Sequence, residues 1–182
     1  MNLSLIRLAR RAVGCIGTAL FVVLVCFSLF THAVPLTGRE LFTIIGGSME
    51  PSIPVGSLVI ATPVDAMTVA VGDIVTIRDD SGTVVTHRVT RVVDVVGGRS
   101  FEMKGDANQA PDGGLVPARA LVGAAGQFVP YAGYARAFLS TLTGLIATFS
   151  FLVALILFYL LLGMIEPPLR EISTKAGEPV GP

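Results

Sequence analysis

The sequence predicts a mainly β domain held between two transmembrane helices. Two charge-free stretches and the patterning of the chain between them carry that prediction. Residues 12–38 are 27 consecutive positions without a formal charge, and residues 137–165 are 29 more. A bilayer core about 30 Å thick is crossed by roughly 20 apolar helical residues, so both stretches are long enough. Between them, residues 31–136 hold 18 of the 26 charges, with apolar and polar residues alternating between many Gly and Pro breaks.

The composition supports the same division. Of 182 residues, 52% are apolar and 14% charged, and the mean hydropathy is +0.75. Soluble domains carry about a quarter charged residues, so membrane segments account for the deficit. Thirteen basic and thirteen acidic side chains leave no net charge, which argues against a general nucleic-acid binder with its basic face. The high apolar content also excludes low-complexity disorder.

The first apolar stretch, preceded by Arg7, Arg10 and Arg11, has a rival reading as a cleavable signal peptide ending near Thr31-His32-Ala33. Signal-peptide apolar regions run about 7 to 15 residues, and residues 13–30 exceed that, so the stretch reads as a retained anchor. The three arginines place its N-terminal flank in the cytoplasm. The expected layout is a cytoplasmic N-terminus at 1–11, a first transmembrane helix at 12–34 and an extracytoplasmic domain at 35–136. A second transmembrane helix at 137–165 and a cytoplasmic tail at 166–182 complete it. The second helix shows no polar face at helical period. Tyr131 and Tyr134 precede it at a position suited to the interfacial belt. Pro167-Pro168 is expected to stop it, and the polar, Pro/Gly-rich tail reads as disordered.

Cys15 and Cys26 both lie in the first apolar stretch, about 16 Å apart along a helix axis, too far to bridge. The domain at 35–136 therefore holds no cysteine, which rules out disulfides, a Cys metal site and a Cys nucleophile there. Residues 41–45, 57–61, 73–77, 84–96 and 100–103 read as strands at period two, separated by turn signals such as Ser81-Gly82. Short strands without intervening helices suggest a small barrel or open sandwich.

Within this domain, Ser48 follows Gly46-Gly47 at the end of an apolar strand, where the glycines let the backbone turn sharply. It reads either as a turn serine or as a nucleophile. A nucleophilic Ser needs a base within hydrogen-bond reach. His87 shares a strand face with Val85 and Val89 and reads either as a core histidine or as that base, since imidazole titrates near neutrality. Lys104 is the rival base, but a lysine must be desolvated to lose its proton near neutral pH. Asp106 and Asp112 bracket a polar loop with turn chemistry, and one of them could hold the imidazole in its useful tautomer. Glu50, Asp79 and Asp80 read as solvated charges.

The order of these elements closely resembles the type I signal peptidases, in the branch that includes the endoplasmic-reticulum, archaeal and spore-former enzymes. The resemblance rests on Gly47-Ser48-Met49-Glu50-Pro51, Thr86-His87-Arg88-Val89, and Lys104-Gly105-Asp106-Ala107-Asn108 with Asp112 beyond. Phe128-Val129-Pro130-Tyr131-Ala132-Gly133 extends it towards the second apolar stretch.

The resemblance implies Ser48 as nucleophile, His87 as general base where the usual bacterial members have lysine, Asp112 orienting the imidazole and Asp106 in support. It implies the Ser48 amide as part of an oxyanion hole. Many relatives carry a hydroxyl residue where this chain has Gly46, and losing one such donor typically costs about 100- to 1,000-fold in rate. The implied activity is removal of signal peptides after small residues in an A-x-A pattern, with no metal or nucleotide cofactor. Rates should fall below about pH 6 as the imidazole protonates. The implied partners are signal peptides of secretory preproteins, the lipid bilayer and the secretion translocon, with no nucleic acid. The implied location is the cytoplasmic membrane. Two alternatives stand beside this reading: a processing peptidase dedicated to a few surface or matrix proteins, and a non-catalytic membrane-anchored β-domain acting as a binding module.

Overall fold

A computed structural model describes residues 3–96 and 98–176. Its fold class is the mainly β one that the sequence predicts, with two long apolar helices flanking a curled antiparallel sheet. The chain divides into two compact units. One holds the N-terminal helical residues to Leu29 together with the chain from Thr141 onward, and the other is Phe30–Ser140.

Helices α1 (Leu3–Leu36), whose last residues from Phe30 belong to the second unit, and α3 (Leu142–Ala176) are each long and apolar enough to cross a membrane, over Leu5–Leu36 and Leu142–Met164. Helix α1 runs unbroken through Thr31-His32-Ala33. Helix α3 departs from expectation, because it continues through Pro167 and Pro168 to Ala176 instead of stopping there. Proline forfeits one amide hydrogen bond, but its fixed φ is already near the helical value, so a helix can pass through it. The disorder expected for the tail concerns in part residues 177–182, which lie outside the described residues.

The second unit is built on strands β1 (Glu40–Thr43), β2 (Leu58–Thr62), β3 (Ile74–Arg78), β4 (Val84–Val95), β5 (Gly98–Lys104), β6 (Val116–Pro117) and β7 (Leu121–Val129). They form one sheet in the order β1-β2-β7-β3-β4-β5-β6, with every pairing antiparallel. The expected strands 41–45, 57–61, 73–77, 84–96 and 100–103 correspond to β1 to β5. The sequence did not foretell β6 or β7, although β7 is the strand that joins β2 to β3. Four of its nine residues are Gly or Ala, a composition poor in strand formers. The sheet needs one of them without a side chain: a Cβ on Gly123 would stand 2.3 Å from the Thr62 carbonyl oxygen.

Apolar side chains of these strands bury in three clusters, with β2 buried on both faces. Val75, Ile77, Val89, Phe101 and Met103 form the first, under β3 to β5. Met49, Ile53, Val59 and Ala125 form the second. Leu41, Leu58 and Ile60 form the third, against Phe30 and Val34 of the last turns of α1. A short helix, α2 (Ala132–Leu139), closes the unit.

Candidate active site

Ser48 occupies the middle of a single 3-10 turn, Gly47–Met49, that follows β1. The turn is pinned from below and from the side. Met49, only 1% exposed, is sunk in the second cluster, and its carbonyl accepts the Ile53 amide at 2.8 Å. The Ser48 carbonyl accepts the Ala107 amide at 2.8 Å. Gly105 lies so close that a Cβ there would meet the Ser48 carbonyl oxygen at 2.6 Å and the Ser48 Cβ at 2.9 Å. The Ser48 backbone is thus fixed by its neighbours.

His87 lies on β4 opposite Val75 of β3, and is 8% exposed. Its Nε2 is 2.9 Å from Ser48 Oγ, and its Nδ1 is 2.5 Å from Asp112 Oδ2. A carboxylate at Nδ1 holds the ring proton there and leaves the Nε2 lone pair to accept the serine hydroxyl. Asp112 arrives because the loop after β5 doubles back, with its amide donating to the Met103 carbonyl at 2.8 Å. The ordering is that of a nucleophile, a base and a group that orients the base.

Asp106 does not reach His87. It takes two hydrogen bonds from Arg88, Nε to Oδ1 at 2.8 Å and Nη2 to Oδ2 at 2.7 Å. Arg88 also donates to the Gly72 carbonyl at 2.8 Å and to Ser52 Oγ at 3.4 Å. The Arg88 guanidinium holds the Asp106 carboxyl below the usual carboxylate range against the opposing effect of burial, with Ser52 and Lys104 assisting. Lys104 ends β5 opposite Arg88. Among the described residues no hydrogen bond joins it to Ser48.

The loop from Gly105 to Asp112 is therefore attached to the site three times: Asp106 to Arg88, Ala107 to Ser48, and Asp112 to His87. The sequence reading did not foresee what Arg88 and Gly105 do. Both stood in the quoted motifs, but an ion pair between β4 and a loop 18 residues on, and a backbone approach of that closeness, exist only in the folded chain.

Of the other residues singled out, Gly46 is exposed with open space where a Cβ would be. Asp79 is exposed and caps its own turn, accepting from the Ser81 hydroxyl and amide and the Thr83 amide. Those bonds lower its pKa. The Tyr131–Gly133 segment is a docking device. The Gly133 amide donates to the Gly56 carbonyl at 2.8 Å, and the Tyr134 ring covers Gly56. No group of three or more His, Cys, Asp or Glu side chains suited to a metal occurs among the described residues.

A serine, a buried histidine and a carboxylate hydrogen-bonded in series define the class of site found in serine hydrolases. Comparison with known proteins adds a more particular likeness. A stretch of 76 residues, 41% of this chain, is 36% identical to signal peptidase I W of Bacillus subtilis (strain 168). The match covers 40% of that relative's length. It supports a relationship to the signal peptidase I family, and with the two apolar helices it supports a membrane location. No family model matches the chain.

Proposed function

We propose that the chain is a membrane-anchored serine endopeptidase that removes signal peptides from exported preproteins after small residues. The observation that carries this reading is the serial contact of Ser48 Oγ, His87 Nε2, His87 Nδ1 and Asp112 Oδ2. Ser48 Oγ attacks the scissile carbonyl while its proton passes to His87 Nε2. The resulting oxyanion is met by the Ser48 amide, which stands in the first turn of a helix, where amides lack intrahelical partners. Collapse breaks the peptide bond, and the proton on His87 goes to the departing amine. A water then attacks the ester and gives its proton to His87; the ester bond breaks, the His87 proton returns to Ser48 Oγ, and the signal peptide leaves with a new C-terminal carboxyl group. Asp112 keeps the imidazole in the accepting tautomer and stabilises its protonated form. Asp106 is a positioning residue, acting through Arg88 on the loop that carries Asp112. In this reading the site is of the Ser/His kind, with Lys104 taking no part as base.

Strand β1 stands at one end of the sheet, paired with β2 alone among the strands, and leads into Ser48 within five residues; Arg136 donates to its Leu41 carbonyl at 2.9 Å. An extended cleavage segment adds to such an edge by main-chain hydrogen bonds. The arginine-flanked start of α1 faces the cytoplasm, so two crossings put the catalytic domain outside and return the chain to the arginine side. A signal peptide's apolar segment then shares the bilayer with the enzyme, and the translocon delivers it.

The test is cleavage of a preprotein bearing an A-x-A site by the full chain in detergent micelles, with the new N-terminus mapped by mass spectrometry. Cleavage directly after the second Ala, abolished when that Ala is replaced by Leu, is expected. Cleavage elsewhere, or indifference to that replacement, contradicts the reading.

A further inference from the structure

Helices α1 and α3 are not packed along their whole facing length. Gly14 lies against the Tyr159 ring, where a Cβ would come within 3.3 Å, and the Arg10 guanidinium sits 4.9 Å from the centre of the same ring. Gly163 leaves room for that guanidinium. Beyond this contact an apolar groove of about 600 Å³ opens between the helices, lined by Gly17 and Phe21 on one side and Phe149 and Ile156 on the other. A Cβ on Gly17 would meet nothing within 4 Å, so the glycine widens the groove rather than closing the helix pair.

Two features say what fills it. The first is depth. From Phe149 to Tyr159 is ten residues, about 15 Å of helix, which is half of a hydrocarbon core about 30 Å thick. A transmembrane helix needs the full thickness, whereas one leaflet's lipid needs half. The second is charge. Arg7, Arg10, Gly14, Gly17 and Phe21 follow one another at steps of three or four, so two arginines crown the same helix face that lines the groove. Arg7 and the neighbouring Arg11 are exposed, and Arg10 is held over Tyr159. Basic clusters between membrane helices suit anionic lipid headgroups.

We propose that this groove binds one anionic phospholipid of the leaflet on the arginine side, its chain between Gly17 and Ile156 and its phosphate at Arg7 and Arg10. The site is separate from Ser48 and does not depend on the activity proposed for it. Native mass spectrometry of the full chain, released from mild detergent with phosphatidylglycerol or phosphatidylcholine added, tests it. One phosphatidylglycerol should be retained roughly 30-fold in preference to phosphatidylcholine, as two arginines beside a headgroup of net negative charge imply. Gly17→Leu, which fills open space, should abolish retention of either lipid, and Arg7→Gln should narrow the preference. Equal retention of both lipids by the wild type overturns the proposal. So does a dimer in place of bound lipid, or displacement of the lipid by an apolar peptide of about 20 residues, since these assign the groove to a second copy or a third helix.

Discussion

At the scale of single residues, the candidate site depends on a glycine as much as on its reactive groups. Ser48 Oγ can face His87 Nε2 at 2.9 Å because Gly105 lets the following loop lie directly against the Ser48 backbone. A Cβ at 2.6 Å from a main-chain oxygen cannot be relieved by a rotamer change, so one of the two segments must move. Displacement of a reacting group by about 1 Å costs on the order of 100-fold in rate. Gly105→Ala should therefore lower kcat by about that factor while KM changes little, and steady-state kinetics on a preprotein would show it. A variant with unaltered kcat would mean that the approach is not needed for catalysis. Ser48 and His87 could be singled out in the sequence because each stands in a short motif, whereas the choice of Asp112 over Asp106 came from the resemblance alone. The partner of Asp106 was not, because the sequence alone does not show that a β4 arginine and a loop carboxylate will meet.

At the scale of elements, two attachments hold the domain's working parts. The first is the Arg88–Asp106 pair that ties β4 to the loop bearing Asp112. Asp106 has its pKa lowered in the folded chain, chiefly by Arg88. Its contribution is therefore full above the ordinary carboxylate value and is lost as pH falls through the depressed folded value. With Arg88 about a third exposed, that contribution is about 1 kcal/mol. Chemical denaturation at pH 7 and at successively lower pH should show the wild type more stable than Asp106→Asn, with the difference closing in acid. A difference independent of pH would contradict the assignment.

The second attachment is α2, whose Gly133 has room for no Cβ: the Gly56 carbonyl oxygen would stand at 2.7 Å and the Ser57 carbonyl oxygen at 2.9 Å. Gly133→Val should unseat the helix from the end of β2 and lower the melting temperature by several degrees, corresponding to about 2 kcal/mol. A melting temperature equal to the wild type's would show that α2 tolerates a shift. Strand β7 marks where sequence reading of elements fails. Its Gly and Ala residues disguise it as a loop, yet Gly123 is what allows it to lie against β2.

At the scale of the whole molecule, hydropathy separates the chain into a helical unit and a sheet unit, and that separation was plain in the sequence because two long charge-free stretches reach the length that bilayer thickness sets. The extent of α3 was less plain, since a proline pair disfavours a helix but does not forbid its passage. The likeness to signal peptidase I W covers 41% of this chain, and the site geometry supplies a separate line of support through residues that need only be read from the fold. These join in one claim, that a Ser/His pair in a chain with two apolar helices cleaves signal peptides. The most direct test compares wild type, Ser48→Ala and His87→Ala on one preprotein in micelles, each shown to be folded by circular dichroism. Product from the wild type and a loss of at least about 1,000-fold in both variants is the predicted result. Survival of activity in His87→Ala, or an inert folded wild type, would contradict the account.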